Sequence, residues 1–372
     1  MLRWDIFCAV IDNYGDVAVS WRLARQLVAE HHGRVRLWVD DLSPLSALCP
    51  GINPRLAQQT LHGVEICHWP ASNFPLVEIA DIVIETFACE LPATYVAAMA
   101  AGKVKPRWLN LEYLSAEDWV AGCHGLPSPH PRLALLKHFF MPGFSANTGG
   151  LLRESDLLQR RQQFQRCPIA QAEFWAQSGC TPPSPALKIS LFGYENAALP
   201  ELLQAWANNP TPIWCVLPNS SLTPAVTAYF GPHEKWQRGN LTVQALPFLS
   251  QDRYDQLLWA CDLNFVRGED SLVRALWAGR PLVWHIYPQA EAAHHAKLDA
   301  FLSLYRQGLD ADSTIVLYQF WQAWNRIPDH SLDWPAWQAI HASLSRHHEQ
   351  WLEQLIEQTD LATNLVKFTR IG

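Results

Sequence analysis

The stretch Ile6-Phe7-Cys8-Ala9-Val10-Ile11-Asp12-Asn13-Tyr14-Gly15-Asp16-Val17 decides how the chain is read. Ile6–Ile11 is an unbroken apolar run of the length expected of a buried strand. Beyond the turn, Val17, Trp21, Ala24 and Val28 fall at i, i+4, i+7 and i+11, which is one face of a helix. The residues from Asp12 to Asp16 therefore lie at the carboxyl end of a first parallel strand, where open α/β sheets bind their ligands. Two carboxylates four residues apart at such a place suit chemistry on a polar substrate. The same residues also read as an Asx turn with Asp16 as the N-cap of the helix.

Outward from that turn the alternation continues. Arg34–Val39, Val64–Cys67, Asp81–Glu85 and Trp108–Glu112 read as strands, with a short Pro44- and Pro50-containing segment and a helix near Ala93–Ala101 between them. Strands separated by helical patterns imply a parallel, doubly wound sheet. From about His124 to Gly150 the composition turns to loop, and residues 151–185 read as a linker holding a polar helix and Thr181-Pro182-Pro183-Ser184-Pro185. Strands then return at Leu187–Phe192, Ile213–Leu217, Leu241–Leu246, Leu263–Val266 and Pro281–Ile286, with helices at Ala198–Asn208, Tyr254–Ala260 and Ser271–Ala278. The expected organisation is a first Rossmann-like domain over 1–150 and a second over 186–330. Helices over 331–372 are expected to pack back toward the first domain.

Composition narrows the partners. At 372 residues there is room for two cores, and 49% hydrophobic with 17% charged residues marks a globular chain. Twenty-eight basic against 35 acidic residues leave a net charge of −7, which argues against a nucleic acid or a membrane as the main partner. The nine cysteines make no C-x-x-C pair and several sit within strand-like runs, as reduced thiols do. No signal peptide opens the chain, and no run reaches the roughly 20 apolar residues of a membrane span. The expectation is a soluble, cytoplasmic protein.

Three further stretches follow strands. Val266-Arg267-Gly268-Glu269-Asp270-Ser271 combines a glycine turn, an arginine and a helix start, the makings of an anion site. Here Glu269 would accept sugar or ribose hydroxyls while the amides and Ser271 hold a diphosphate; plain helix capping is the other reading. Phe192-Gly193-Tyr194-Glu195-Asn196 closes the first strand of the second half. In Leu246–Tyr254, Phe248 and Tyr254 flank Gln251 and suit a stacked, hydrogen-bonded nucleobase, or else simply fill the core. No G-x-G-x-x-G, P-loop, G-x-S-x-G or H-E-x-x-H pattern is present, which disfavours a dinucleotide enzyme, an ATPase, a serine hydrolase and a zinc site.

Together Trp4–Cys8, Asp12–Asp16 with Trp21–Leu27, Phe192–Glu195, Arg267–Ser271 and Trp284-His285-Ile286-Tyr287-Pro288-Gln289 resemble, in order and over essentially the whole chain, the EarP family of protein-arginine rhamnosyltransferases that modify bacterial elongation factor P. The resemblance implies an α/β GT-B glycosyltransferase, with two Rossmann-like domains facing a cleft and a helical C-terminal tail. It implies an acceptor on the first domain and a sugar nucleotide on the second. The donor would be dTDP-β-L-rhamnose and the acceptor one arginine of elongation factor P, with inversion and with neither metal nor cofactor. By motif match Asp16 takes the general-base position and Asp12 the orienting one, and Asp12, Asn13, Tyr14, Gly15 and Asp16 form the acceptor turn. Phe248, Gln251 and Tyr254 match the thymine-binding segment. Arg267, Glu269, Asp270 and Ser271 match the diphosphate and sugar loop, Glu269 counting among the catalytic residues, with Phe192, Tyr194 and Tyr287 beside the donor. Val17-Ala18 stands where the family often has Ile-Gly. The alternatives are a GT-B transferase with another donor or a small-molecule acceptor, and a non-catalytic protein that binds a translation factor.

Overall fold

The computed structural model describes residues 2–12, 14–70, 72–233, 235–289 and 292–370. The chain divides into two compact units, Met1–Ser155 with Glu357–Gly372, and Asp156–Ile356.

The first unit carries, in order, β1 (Arg3–Cys8), α1 (Gly15–His31), β2 (Arg34–Val39), α2 (Leu42–Leu48), β3 (Gln58–Leu61), β4 (Val64–His68), β5 (Ile82–Thr86), α3 (Ala93–Ala101), β6 (Arg107–Leu111), α4 (Trp119–Cys123), β7 (Pro127–Pro129) and β8 (Leu136–Phe140). Its sheet runs β3-β4-β2-β1-β5-β6-β8-β7. The interior pairs are parallel, and the edge strands β3 and β7 pair antiparallel. Because β1 pairs with β2 on one side and β5 on the other, the strand order reverses at β1, which is where such sheets open a binding crevice. The apolar run does not remain a strand to Ile11, as its composition suggested. Pairing stops at Cys8, the Val10 N–H is taken by Asp40 Oδ1 at 2.9 Å, and Ile11 is 73% exposed.

The second unit begins with α5 (Leu157–Arg166) and α6 (Pro168–Gln177), so 151–185 is not a linker in the expected sense. Phe164 packs on Trp259, Trp175 on Trp214, and Arg161 Nη1 donates to the Trp277 carbonyl at 2.9 Å. These contacts dock both helices onto the rest of the second unit. Next come β9 (Leu187–Leu191), α7 (Leu199–Ala207), β10 (Ile213–Pro218), α8 (Thr223–Phe230), β11 (Lys235–Arg238), β12 (Leu241–Leu246), α9 (Gln251–Ala260), β13 (Leu263–Arg267), α10 (Asp270–Ala278), β14 (Leu282–His285), α11 (Ala293–Tyr305), α12 (Ala311–Trp324) and α13 (Trp334–Ile356). The sheet order is β11-β12-β10-β9-β13-β14, parallel except at β11, and it reverses at β9.

The final helix α14 (Leu361–Arg370) belongs to the first unit, while α13 stays with the second, so the 331–372 tail is shared. Leu361, Ala362, Leu365 and Val366 enter the core that α1 also builds, and Gln26 Nε2 donates to Asp360 Oδ1 at 3.1 Å. That second cover explains why α1 is buried well beyond its apolar stripe.

In the second unit α9 and α10 are clamped by a bidentate pair. Arg274 Nε and Nη2 donate to Asp255 Oδ1 and Oδ2 at 2.9 and 2.6 Å, with both side chains buried. Removing one partner strands the other charge in a low-dielectric interior. Asp255→Ala should therefore lose about 3–5 kcal/mol of stability in urea unfolding. Asp255→Leu combined with Arg274→Met should lose markedly less, and a loss below about 1 kcal/mol for the single variant would discount the clamp.

Candidate active site

Each unit brings its strand-end loops together on its own sheet, and each is described by itself. In the first unit, Asp12 and Asp16 follow β1. Asp16 is not a helix N-cap: Tyr14 holds that position, and Asp16 lies in the first turn of α1, 2% exposed. Its carboxylate points back at the loop, with Oδ2 accepting the N–H groups of Ile11 at 2.9 Å and Asp12 at 2.8 Å. The Asp12 carbonyl accepts the Gly15 N–H at 2.7 Å, and a Cβ on residue 15 would lie 2.7 Å from Asp12 Oδ2. Gly15 is thus needed for the Asp12 carboxylate to lie where it does. Tyr14 is half-buried against the core beneath α1. Asn13 lies outside the described residues.

Two residues near Asp16 were missed by motif reading. Tyr113, two residues past the end of β6, donates its hydroxyl toward Asp16 Oδ1 at 3.4 Å. Its ring stacks on Phe87 with centroids 4.4 Å apart. Phe87 and the next residue, Ala88, both hold positive φ, 57° and 54°, which side-chain-bearing residues rarely adopt. Their amides are held by the Leu111 carbonyl and Asn110 Oδ1 at 2.7 and 3.0 Å. The strand-end rule that singled out Asp12 would also have pointed to Tyr113. Below this corner, burial pushes the Cys89 thiol up to about 12, so it stays protonated and is no nucleophile.

In the second unit the expected donor residues converge at the ends of β9, β12, β13 and β14. The Arg267 guanidinium lies 4.5 Å from the Phe192 ring centroid and 4.8 Å from that of Tyr194, a cation held over two aromatic faces. Tyr254 meets the Phe192 ring edge-on at 5.6 Å, and Tyr287 meets Tyr194 at 5.4 Å. Phe248 and Tyr287 remain 36% and 46% exposed, so neither is a core residue. Gln251, 3% exposed, opens α9, which starts three residues before the expected Tyr254.

The 267–271 loop is a tight turn held by its own backbone and by Ser271. Gly268 has φ +60°, its carbonyl accepts Trp284 Nε1–H at 2.7 Å, and its N–H donates to the His285 carbonyl at 3.3 Å. The Arg267 N–H donates to Ser271 Oγ at 3.2 Å, and the Ser271 hydroxyl donates back to the Arg267 carbonyl. Ser271 therefore shapes the turn with its hydroxyl. Glu269 is the N-cap residue of α10 without capping it through its side chain, and Asp270 begins the helix. The Glu269 carboxylate instead accepts from Lys297 Nζ on α11, 2.6 Å away. Nothing in the local sequence could have announced that partner, 28 residues along the chain.

His285 sits under this platform, 3% exposed, and its Nδ1 accepts the Tyr194 N–H at 3.3 Å. A Cβ on Gly193 would come within 3.2 Å of the same nitrogen. Among the described residues no three His, Cys, Asp or Glu side chains group as metal ligands, and no helix is long and apolar enough to cross a membrane.

Two Rossmann-like units, each with candidate side chains at the carboxyl ends of parallel strands, give the fold of a GT-B glycosyltransferase. Spinosyn rhamnosyltransferase SpnG aligns over 100% of both chains at a TM-score of 0.51 and 11% identity, a likeness of fold. The model of the elongation-factor P (EF-P) rhamnosyltransferase EarP family matches residues 4–370, and the chain belongs to that family. The protein-arginine rhamnosyltransferase of Pseudomonas putida is 52% identical over 372 residues, covering 99% of this chain and 98% of its own. A solved structure addressing EarP-mediated arginine glycosylation of translation elongation factor EF-P matches at a TM-score of 0.71 and 36% identity, covering 100% of this chain and 99% of its own.

The His285 environment has a pH signature. Burial pushes its imidazole down from the ordinary 6.5 to about 3. Between those values the unfolded ring binds a proton that the folded ring refuses, so stability must fall as the pH drops below 6.5. The slope is about 1.4 kcal/mol per pH unit for one such group. Buried His348, pushed down to about 4, adds a slope of the same sign. Urea unfolding from about pH 7 to pH 4 should show this decline, shallower by about one proton in His285→Gln. An unchanged slope in that variant would mean His285 is charged or exposed.

Proposed function

We propose that this chain moves L-rhamnose from dTDP-β-L-rhamnose to a guanidinium nitrogen of one arginine of elongation factor P, with inversion at the anomeric carbon. The observation that carries the reading is the buried Asp16 carboxylate, four residues after Asp12, with Oδ2 engaged by two backbone amides and Oδ1 facing the Tyr113 hydroxyl. Family membership supports the choice of acceptor and donor.

A guanidinium is a poor nucleophile because its lone pairs are delocalised and its pKa lies above about 12. We assign Asp12 to hold its N–H fork and Asp16 to take the proton as the bond forms. The guanidinium nitrogen attacks the anomeric carbon, that carbon's bond to the diphosphate oxygen breaks, and the electron pair leaves with dTDP. The proton lost by nitrogen goes to Asp16. A single displacement inverts the centre and calls for no enzyme nucleophile.

On the donor side, negative charge grows on the departing diphosphate. Arg267 and the amides at the start of α10 are assigned to stabilise it, so the reading invokes neither metal nor cofactor. Phe248, Tyr254 and Gln251 are assigned to the thymine, with Phe192, Tyr194 and Tyr287 around the rest of the donor. Glu269 is assigned to sugar hydroxyls and Asp270 to the same loop; Ser271 acts by shaping it. Asn13 and Tyr14 complete the acceptor turn. We place the enzyme in the cytoplasm with its translation-factor substrate; cysteines that form no disulfide fit that reducing compartment.

Mass spectrometry of elongation factor P after incubation with enzyme and dTDP-rhamnose should show one deoxyhexose on one arginine. An unmodified factor with turnover on a small molecule would favour the alternative acceptor. Asp16→Asn should abolish transfer while leaving calorimetric dTDP-rhamnose affinity within about twofold, because uniform donor binding and proton acceptance are separable. Full activity in that variant removes the base role. Gly15→Ala should keep the thermal midpoint, since alanine suits a first helical turn, yet lower the turnover number by displacing Asp12. Unaltered turnover would show that the position of Asp12 is unimportant.

A further inference from the structure

The 267–271 loop poses an electrostatic puzzle. An anion site with two adjacent carboxylates, Glu269 and Asp270, would repel the diphosphate that Arg267 and the α10 amides attract. Lys297 answers it. Its ammonium lies 2.6 Å from Glu269 Oε1, with the two side chains only 16% and 18% exposed. Partial burial weakens solvent screening, so the pair's charges largely cancel, and the loop carries Arg267 and Asp270 beside a neutralised Glu269. The contact also fixes the direction of the carboxylate.

We infer that Lys297 is a positioning residue of the sugar-nucleotide site: it acts through Glu269, cancelling that charge toward the diphosphate and orienting the carboxylate. This rests on the donor reading above. Its chemistry requires an ammonium or guanidinium at position 297 only for as long as residue 269 is anionic.

The probe is dTDP, which carries the diphosphate without the sugar, titrated calorimetrically into the full-length protein. Wild type should bind it; no binding at all would overturn the donor reading itself, independently of Lys297. Lys297→Met should raise the dTDP Kd by about tenfold or more, because the carboxylate that faces the diphosphate has then lost its ammonium. Lys297→Arg should restore the Kd to within about threefold of wild type, a guanidinium being able to pair with the same carboxylate. The decisive variant combines Lys297→Met with Glu269→Gln. It should bind dTDP far more tightly than Lys297→Met alone, a coupling that a double-mutant cycle isolates. Glu269→Gln alone should bind dTDP at least as well as wild type, while losing the extra affinity for dTDP-rhamnose over dTDP. If the double variant binds as poorly as Lys297→Met, Lys297 acts on the ligand directly or on the fold, and the inference falls. If Lys297→Met binds normally, it falls as well. Should Lys297→Met fail to fold, Lys297→Gln and the dTDP affinity of Glu269→Gln decide: weakened binding in the latter refutes the inference.

Discussion

One carboxylate oxygen sets the geometry of the loop after β1 in the first unit. Asp16 Oδ2 accepts the N–H groups of Ile11 and Asp12, two residues that the chain passes on its way from β1 into α1. Hydrogen bonds to a charged acceptor contribute about 1.5–3 kcal/mol each, enough to hold a short loop in one shape. The Ser20 hydroxyl, which donates to the Asp16 carbonyl at 2.8 Å, lies 3.3 Å from Thr86 Oγ1, and Thr86 donates to the Phe7 carbonyl at 2.8 Å, tying α1, β5 and β1 into one corner. Because Oδ2 is committed to the loop, the proton transfer proposed for Asp16 is assigned to Oδ1.

The second unit solves the same problem with backbone in place of a carboxylate. Gly268 lets the chain turn with positive φ, Trp284 holds its carbonyl, and Ser271 closes the loop on the Arg267 peptide. Arg267 is laid across Phe192 and Tyr194, so in the proposed reaction its charge would need little reorganisation as a diphosphate develops negative charge. The neutral, buried His285 supports the Tyr194 backbone from beneath. Both halves therefore combine rigid strands with short loops whose polar groups are already partnered, as a preorganised site requires.

Much of this was legible in the residues. Apolar runs and 3.6-residue periodicity located most strands and helices, because burial against a sheet imposes those patterns wherever they occur. The strand-end rule then placed Asp12, Asp16, Arg267, Glu269 and Tyr194 at the carboxyl ends of strands, where such sheets bind ligands. Other elements were misread for physical reasons. Apolar character that continues through Ala9, Val10 and Ile11 carried the first strand too far, since hydrophobicity says nothing of where Asp40 captures a backbone N–H. Residues 151–185 looked like a polar linker in sequence, yet Phe164 and Trp175 suffice to dock α5 and α6 on the second unit.

By itself, then, the sequence determined the two-unit α/β plan and the residue types available at each strand end, since local propensity and periodic burial depend on near neighbours along the chain. Tertiary structure alone decided how the atoms of those residues are engaged. That Asp16 commits Oδ2 to the loop before it, that Tyr113 approaches Oδ1 from beyond β6, and that Lys297 reaches Glu269 from α11 are contacts between groups brought together only by folding. Hydrogen bonds and ion pairs act over a few ångströms of space, whatever the separation along the chain, so no local pattern records them.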